Sequence, residues 1–285
     1  MLKHPDLTLN RILRVHQQLI QDQLIGERRE WDVEMLNQPC ATEKEAREAK
    51  GWKAVRPGYQ YGPAYRVFWF RVRGTIPKEW RGLEVVMEAK TGGERTVWKD
   101  NSPERGIDGQ HALYRLTDRA KGGEEFELYI HTHTGNPQVR LIGDTPEREP
   151  LTETFRGVTI APVRSDLVPL HYDFLFCVDL LKAIPKDEPG TATLLRALNQ
   201  ACNQFIGPES ISGCRKLIRD ALGSLNTEMK HQVTAVGHAH LDTAWLWPLQ
   251  ITHYKMAHTT ANQLYLMERL PGRNVPPDGR SWPTL

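Results

Sequence analysis

Between Tyr65 and Thr134 the chain is cut into short apolar segments by glycine, proline and charged turns, and this rhythm limits the fold more than any other feature. YRVFWFRVRGTI alternates at its centre and stops at Pro77. LEVVMEAK, ERTVWKD, HALYRLTD and EFELYIHTHT follow, separated by Gly92-Gly93, by the turn-rich NSPERGIDG and by Gly122-Gly123. Successive side chains of a strand point to opposite faces, so such segments carry an apolar face that a second sheet must cover. The pattern predicts a β-sandwich of roughly 100 residues.

Helical spacing flanks this region. Leu9, Ile12, Leu13, Leu19 and Ile20 give residues 8–25 an amphipathic stripe, with Thr8 placed to cap it. Residues 26–64 are charged and then rich in Gly, Pro and Tyr, and read as an irregular connection. After Pro162, DLVPLHYDFLFCVDLLKAI, TATLLRALNQACNQF and ISGCRKLIRDALGSL each present a Leu- or Phe-rich face, as linker helices would. A short apolar strand at about 232–242 and a helix at about 247–269 come last, the order in which a parallel α/β domain begins. The expected organisation is a multidomain α+β chain: helical arm and connection (1–64), β-sandwich (65–164), helical linker (165–230), the start of an α/β barrel (231–270) and a divergent tail (271–285).

Charge and cysteine usage bound the partners. Lys and Arg number 37 against 35 Asp and Glu, a balance that argues against nucleic acid as the main partner. Cys40, Cys177, Cys202 and Cys214 form no CxxC pair and suggest neither a disulfide framework nor a cysteine zinc site. The chain lacks an N-terminal apolar core and any apolar run near the roughly 18 residues needed to span a bilayer. A soluble cytoplasmic protein that engages no membrane is the expectation.

The stretch GHAHLDTAWLWPL, residues 237–249, carries the chemistry. If the strand of Gln232–Val236 continues through it, His238, His240 and Asp242 share one face. Two imidazoles and a carboxylate suit zinc better than a soft metal or calcium. The same three side chains also fit a hydrogen-bonded polar cluster. Elsewhere, Asp108 and His111 read as part of a turn, His131 and His133 as a solvated strand edge, and the charged stretch 43–53 as a solvated surface.

With TTANQLYLMERLP following, the motif resembles the opening of the catalytic domain of glycoside hydrolase family 38, the class II α-mannosidases. FWFRVRGTIPKEW, GGERTVWKD, GIDGQHALYRLTD and KGGEEFELYIHT resemble the N-terminal, galactose-binding-like β-sandwich of its cytosolic or bacterial-type members, and LHYDFLFCVDLLKAIP and LLRALNQA resemble their linker. The resemblance implies that His240 and Asp242 are two zinc ligands from the first barrel strand. It implies that Trp245 stands beside the sugar, and that His238 is a supporting residue. It further implies zinc, with cobalt as an alternative ion, retaining hydrolysis of terminal α-mannosyl residues of oligosaccharides, and a homo-oligomer as an option for the full-length form. Two further ligands, one of them the nucleophile, and the acid/base carboxylate lie later in such proteins.

The chain departs from the family pattern at Gln250-Ile251-Thr252, where Arg and Glu-Thr are usual, and after Pro271, where GRNVPPDGRSWPTL has no counterpart. A truncated or frameshifted reading frame is therefore expected, and with it an inactive fragment. A second reading makes the β-sandwich a non-catalytic carbohydrate-binding or assembly module. That module would need an exposed aromatic platform, for which Trp69, Trp80 and Trp98 are the candidates.

Overall fold

The computed structural model describes residues 4–63, 65–109, 111–133, 152–185, 188–225, 240–245 and 247–269. In chain order its first elements are α1 (Pro5–Val15), β1 (Arg29–Glu30), β2 (Asp32–Leu36), α2 (Glu43–Glu48), β3 (Lys53–Ala54), β4 (Gln60–Tyr61) and β5 (Val67–Thr75). Next come β6 (Glu84–Ala89), β7 (Glu94–Lys99), β8 (Ser102–Ile107), β9 (Leu113–Thr117), β10 (Glu125–His133), β11 (Glu153–Thr154) and β12 (Val158–Val163). Four helices complete the series: α3 (Val168–Ala183), α4 (Pro189–Gln204), α5 (Ile211–Gly223) and α6 (Leu249–Arg269). Two compact units result, Met1–Glu27 with Pro162–Gln232, and Arg28–Ala161 with Val233–Leu285.

The first unit is helical. Leu170, Phe174, Cys177, Val178 and Leu181 repeat at three- and four-residue spacing along α3, as Ile211, Cys214, Ile218 and Ala221 do along α5. Both stripes meet Leu194, Leu198 and Ala201 of α4 in one core. Ile12 of α1 and Ile20 of the turn after it are fully buried in the same core. The first helix begins at Pro5 rather than at Thr8: proline fits the first helical position, and the Thr8 hydroxyl donates back to the His4 carbonyl. Arg215 pairs with Asp173 at 2.6 Å and ties α5 to α3.

The second unit is built on a six-stranded sheet ordered β3-β2-β5-β10-β7-β8 and a four-stranded sheet ordered β1-β12-β6-β9. Phe68, Phe70 and Val72 of β5 with Leu128 and Ile130 of β10 face Val85 and Met87 of β6 and Ile160 of β12 across the interior. Each such side chain contributes about 1.5–3 kcal/mol by leaving water. Trp31 lies where the chain crosses from one sheet to the other, between β1 and β2. A Cβ on Gly74 would stand 2.3 Å from its indole, so glycine lets the ring lie flat on β5.

Residues 26–64 are not an irregular connection. They supply β1 to β4 and α2, and β2 pairs along β5 from Asp32 opposite Arg73 to Leu36 opposite Trp69. The charged stretch 43–53 is only partly solvated. Thr42 caps α2 by accepting from the Glu45 N–H, while Glu43 is buried, bonded to Arg47 and to the Asn101 N–H. The expected strand at 232–242 falls largely outside the described residues, and so does His238. The described part, His240–Asp242, is not strand.

The central strands are buried on both faces. On the face away from the sandwich interior, Trp69, Trp98 and Tyr129 pack with Leu36, Cys40, Ala46 and Ile251 of α6. His131 and His133 lie on this face of β10, between β5 and β7, and both are buried. They are neither solvated nor at an edge, because α6 covers them. No described helix is long and apolar enough to cross a membrane.

Candidate functional site

His240–Trp245, Trp247 and Pro248 lie immediately before α6 and are tied to its first turns by one hydroxyl. Thr252 Oγ1 accepts from the Ala244 N–H at 3.0 Å and from Trp247 Nε1–H at 3.2 Å. Ala244 takes a left-handed φ of 62°, which reverses the chain there. The Trp245 N–H donates to the Trp247 carbonyl at 3.2 Å, and the two indoles meet edge to face at 5.8 Å. A compact turn results.

Three side chains named from the sequence lie on this turn, and two of them meet. His240 Nε2 and Asp242 Oδ1 are 3.2 Å apart, and both groups are open to solvent, 72% and 41% exposed. Trp245 is 63% exposed. Zinc bonded to nitrogen and oxygen at about 2.0–2.1 Å in a tetrahedron spans about 3.3 Å between adjacent donors. The observed separation, across which the two groups are hydrogen-bonded to each other, matches one edge of such a site. Among the described residues, however, no group of three or more His, Cys, Asp or Glu side chains is placed to hold a metal. The donors present fit zinc in kind and spacing, but two are fewer than the three protein ligands of a catalytic zinc site.

Beneath the turn lies a charged cluster that sequence reasoning missed. Lys255 Nζ, on the buried face of α6, donates to both oxygens of Glu94 at 2.7 and 2.8 Å and stands 4.3 Å over the Trp247 ring. His133 Nε2 is 3.5 Å from Glu94 Oε2. His258 Nδ1 bonds the Arg95 carbonyl at 3.1 Å, and the Gly106 N–H donates to Asn262 Oδ1 at 3.1 Å. Gly106 must lack a side chain, since a Cβ would sit 2.7 Å from His258 and Asn262. His131 stacks on Tyr254 at 4.4 Å between ring centres, and its two nitrogens find no hydrogen-bond partner among the described residues.

Burial sets the charge states of this cluster. It pushes the His133 imidazole down to about 4, with Lys255 and His258 adding to the effect and Glu94 opposing it. It drives His131 well below the ordinary histidine range. Burial by itself would raise the Glu94 carboxyl, but the bonds from Lys255 and the neighbouring histidines bring it below its usual value. At neutral pH the cluster is one ion pair among neutral imidazoles. The signal available in the sequence was the polar content of the buried α6 stripe, Thr252, Lys255 and His258, on a helix that otherwise packs apolar residues.

The remaining candidates resolve simply. The His111 N–H donates to Asp108 Oδ1 at 2.7 Å, a local turn. Trp69, Trp80 and Trp98 are all buried and offer a sugar no exposed platform. The four cysteines are free and buried.

Residues 29–151 match the family described as alpha-mannosidase, jelly roll domain, and residues 230–274 match the glycosyl hydrolases family 38 N-terminal domain. Alpha-mannosidase 2C1 of Homo sapiens is 31% identical over 232 residues, covering 78% of this chain and 22% of that protein. Alpha-mannosidase G of Dictyostelium discoideum is 24% identical over 295 residues, covering 95% of this chain and 27% of its own length. The chain thus spans about a quarter or less of these curated relatives. Among solved structures, a beta-glucuronidase of Faecalibacterium prausnitzii aligns with 49% of this chain and 32% of its own, at a TM-score of 0.34 and 13% identity, too weak a likeness to carry an argument. With both domain models matched on one chain, the chain belongs to glycoside hydrolase family 38 and represents part of its N-terminal portion.

Proposed function

We propose that this chain is the N-terminal part of a zinc-dependent α-mannosidase that removes terminal α-mannosyl residues from oligosaccharides with retention. The observation that carries the reading is the His240–Asp242 pair, solvent-open and 3.2 Å apart, within the part that matches family 38. The names of the relatives support the substrate class.

In this reading His240 Nε2 and Asp242 Oδ1 hold zinc, with cobalt as a substitute, and Trp245 lays its indole against the apolar face of the sugar. Bound metal would supply Lewis-acid polarisation of sugar hydroxyls at the turn. Thr252 fixes the turn, so the two ligands and the indole are presented together. Retention needs a nucleophilic carboxylate and a second carboxyl about 5–5.5 Å away as acid and then base. Asp242 is committed as a ligand and takes neither role, and among the described residues no third His, Cys, Asp or Glu joins the pair, so in this reading the 285 residues by themselves do not hydrolyse mannosides. Four buried, unpaired thiols support a reducing, cytoplasmic setting.

A chimera tests the reading: residues 1–274 of this chain in place of the matching portion of the Dictyostelium relative. It should hydrolyse an aryl α-mannoside in a zinc-dependent manner and lose activity in His240→Ala and Asp242→Ala. Activity that survives either substitution contradicts the ligand roles. Zinc-dependent hydrolysis by the purified 285-residue chain contradicts its proposed inactivity. The carbohydrate-binding reading of the β-sandwich has no observation in its favour, since its three candidate tryptophans are buried.

A further inference from the structure

Glu94 belongs to the β-sandwich and lies far in sequence from the metal-binding turn, yet a continuous line of contacts joins them. Its backbone is fixed on β7: the Glu94 carbonyl accepts from the Thr132 hydroxyl at 3.0 Å, and Glu94 stands opposite His133 in the ladder. Both of its carboxylate oxygens take Lys255 Nζ. That ammonium lies over the Trp247 ring, Trp247 Nε1–H reaches Thr252 Oγ1, and the same oxygen holds the Ala244 N–H two residues after Asp242. Lys255 is only 8% exposed and Glu94 29%, so water screens this pair only in part. An ion pair that served only to dock α6 would have no need of the indole. Docking already has Ile251, the His258 bond to Arg95 and the Asn262 bond to Gly106.

We propose that Glu94 and Lys255 are positioning residues that hold the turn carrying Ala244 and Trp247, so that the β-sandwich sets the geometry of the metal half-site. The proposal rests on the metal reading above for its consequence, but the tether itself is a property of the protein without metal. Lysine suits the role because its ammonium serves the carboxylate and the ring face at once. Lys255→Met keeps the aliphatic stem and removes both interactions. Lys255→Arg keeps both, since a guanidinium pairs with a carboxylate and stacks on an indole.

Hydrogen exchange of the intact 285-residue chain, read at two amides, separates the tether from general docking. The Ala244 N–H reports the turn and the Gly106 N–H reports α6 on the sheet. In Lys255→Met and Glu94→Gln, exchange at Ala244 should accelerate on the order of tenfold more than at Gly106, and Lys255→Arg should restore it. Equal acceleration at both amides would make the pair a docking contact only and overturn the proposal. No change at Ala244 would overturn it as well. Titration with Zn2+ alone gives the second readout: affinity should fall on the order of tenfold in Lys255→Met and return in Lys255→Arg. If the wild-type chain binds no Zn2+ while Ala244 still responds, the metal reading fails and the tether stands.

Discussion

Acidification should release α6 from the sheet, and His133 sets the size of the effect. Its imidazole titrates near 4 in the folded chain against 6.5 in the open, solvated state. The open state therefore binds more protons between these values, and docking is lost as pH falls through that window. The full difference is about 3 kcal/mol, at 1.36 kcal/mol per unit. At pH 5 about 2 kcal/mol of it has gone relative to pH 8, which is about a 30-fold rise in the opening equilibrium. The groups facing His133 are Glu94 of β7, His131 of its own strand, and Lys255 and His258 of α6. Protonation of His131 acts in the same direction, because it too is held neutral by burial. Loss of the Glu94 charge acts that way as well, at lower pH, since that carboxyl is held below its usual value. The assay is the Gly106 amide, exchanged at pH 8 and pH 5 and corrected for the intrinsic pH dependence of exchange. His133→Asn should rise less than the wild type by about the 30-fold that His133 contributes. Equal rises in both proteins, or no rise in either, would refute the reasoning.

Three further outcomes follow from packing. Phe174→Ala, at a fully buried site in the helical unit, should cost about 3–5 kcal/mol, read as a lower melting temperature of that unit. Thr252→Val keeps the shape but removes the acceptor of the Ala244 N–H and Trp247 Nε1–H, which water can partly replace, so the turn should weaken by about 1 kcal/mol, seen as faster Ala244 exchange. Gly106→Ala places a Cβ 2.7 Å from His258 and Asn262 and should loosen α6 by about 1–3 kcal/mol, seen by limited proteolysis of the helix.

The sandwich was legible where strands carry apolar residues and end at glycine. YRVFWFRVRGTI, LEVVMEAK, ERTVWKD, HALYRLTD and EFELYIHTHT all contain strands, β5, β6, β7, β9 and β10. NSPERGIDG passed for a turn although it holds β8, which lies at the sheet edge, where Pro103 is tolerated despite its missing N–H. The three linker helices and α6 announced themselves by their spacing. His131 and His133 were misread because alternation alone cannot tell a solvated face from one covered by a later helix. Their cover, α6, arrives more than a hundred residues later. The site divides the same way. His240, Asp242 and Trp245 lie within six residues and could be read together, whereas Glu94 and Lys255 are 161 residues apart and meet only through the fold.

The central claim is that His240 and Asp242 are a zinc half-site, and calorimetric titration of the 285-residue chain with Zn2+ tests it most directly. The account predicts one ion per chain, bound more weakly than in a four-ligand site, and loss of the binding heat in both His240→Ala and Asp242→Ala. Binding that is absent from the wild type, or that survives both substitutions, would contradict it.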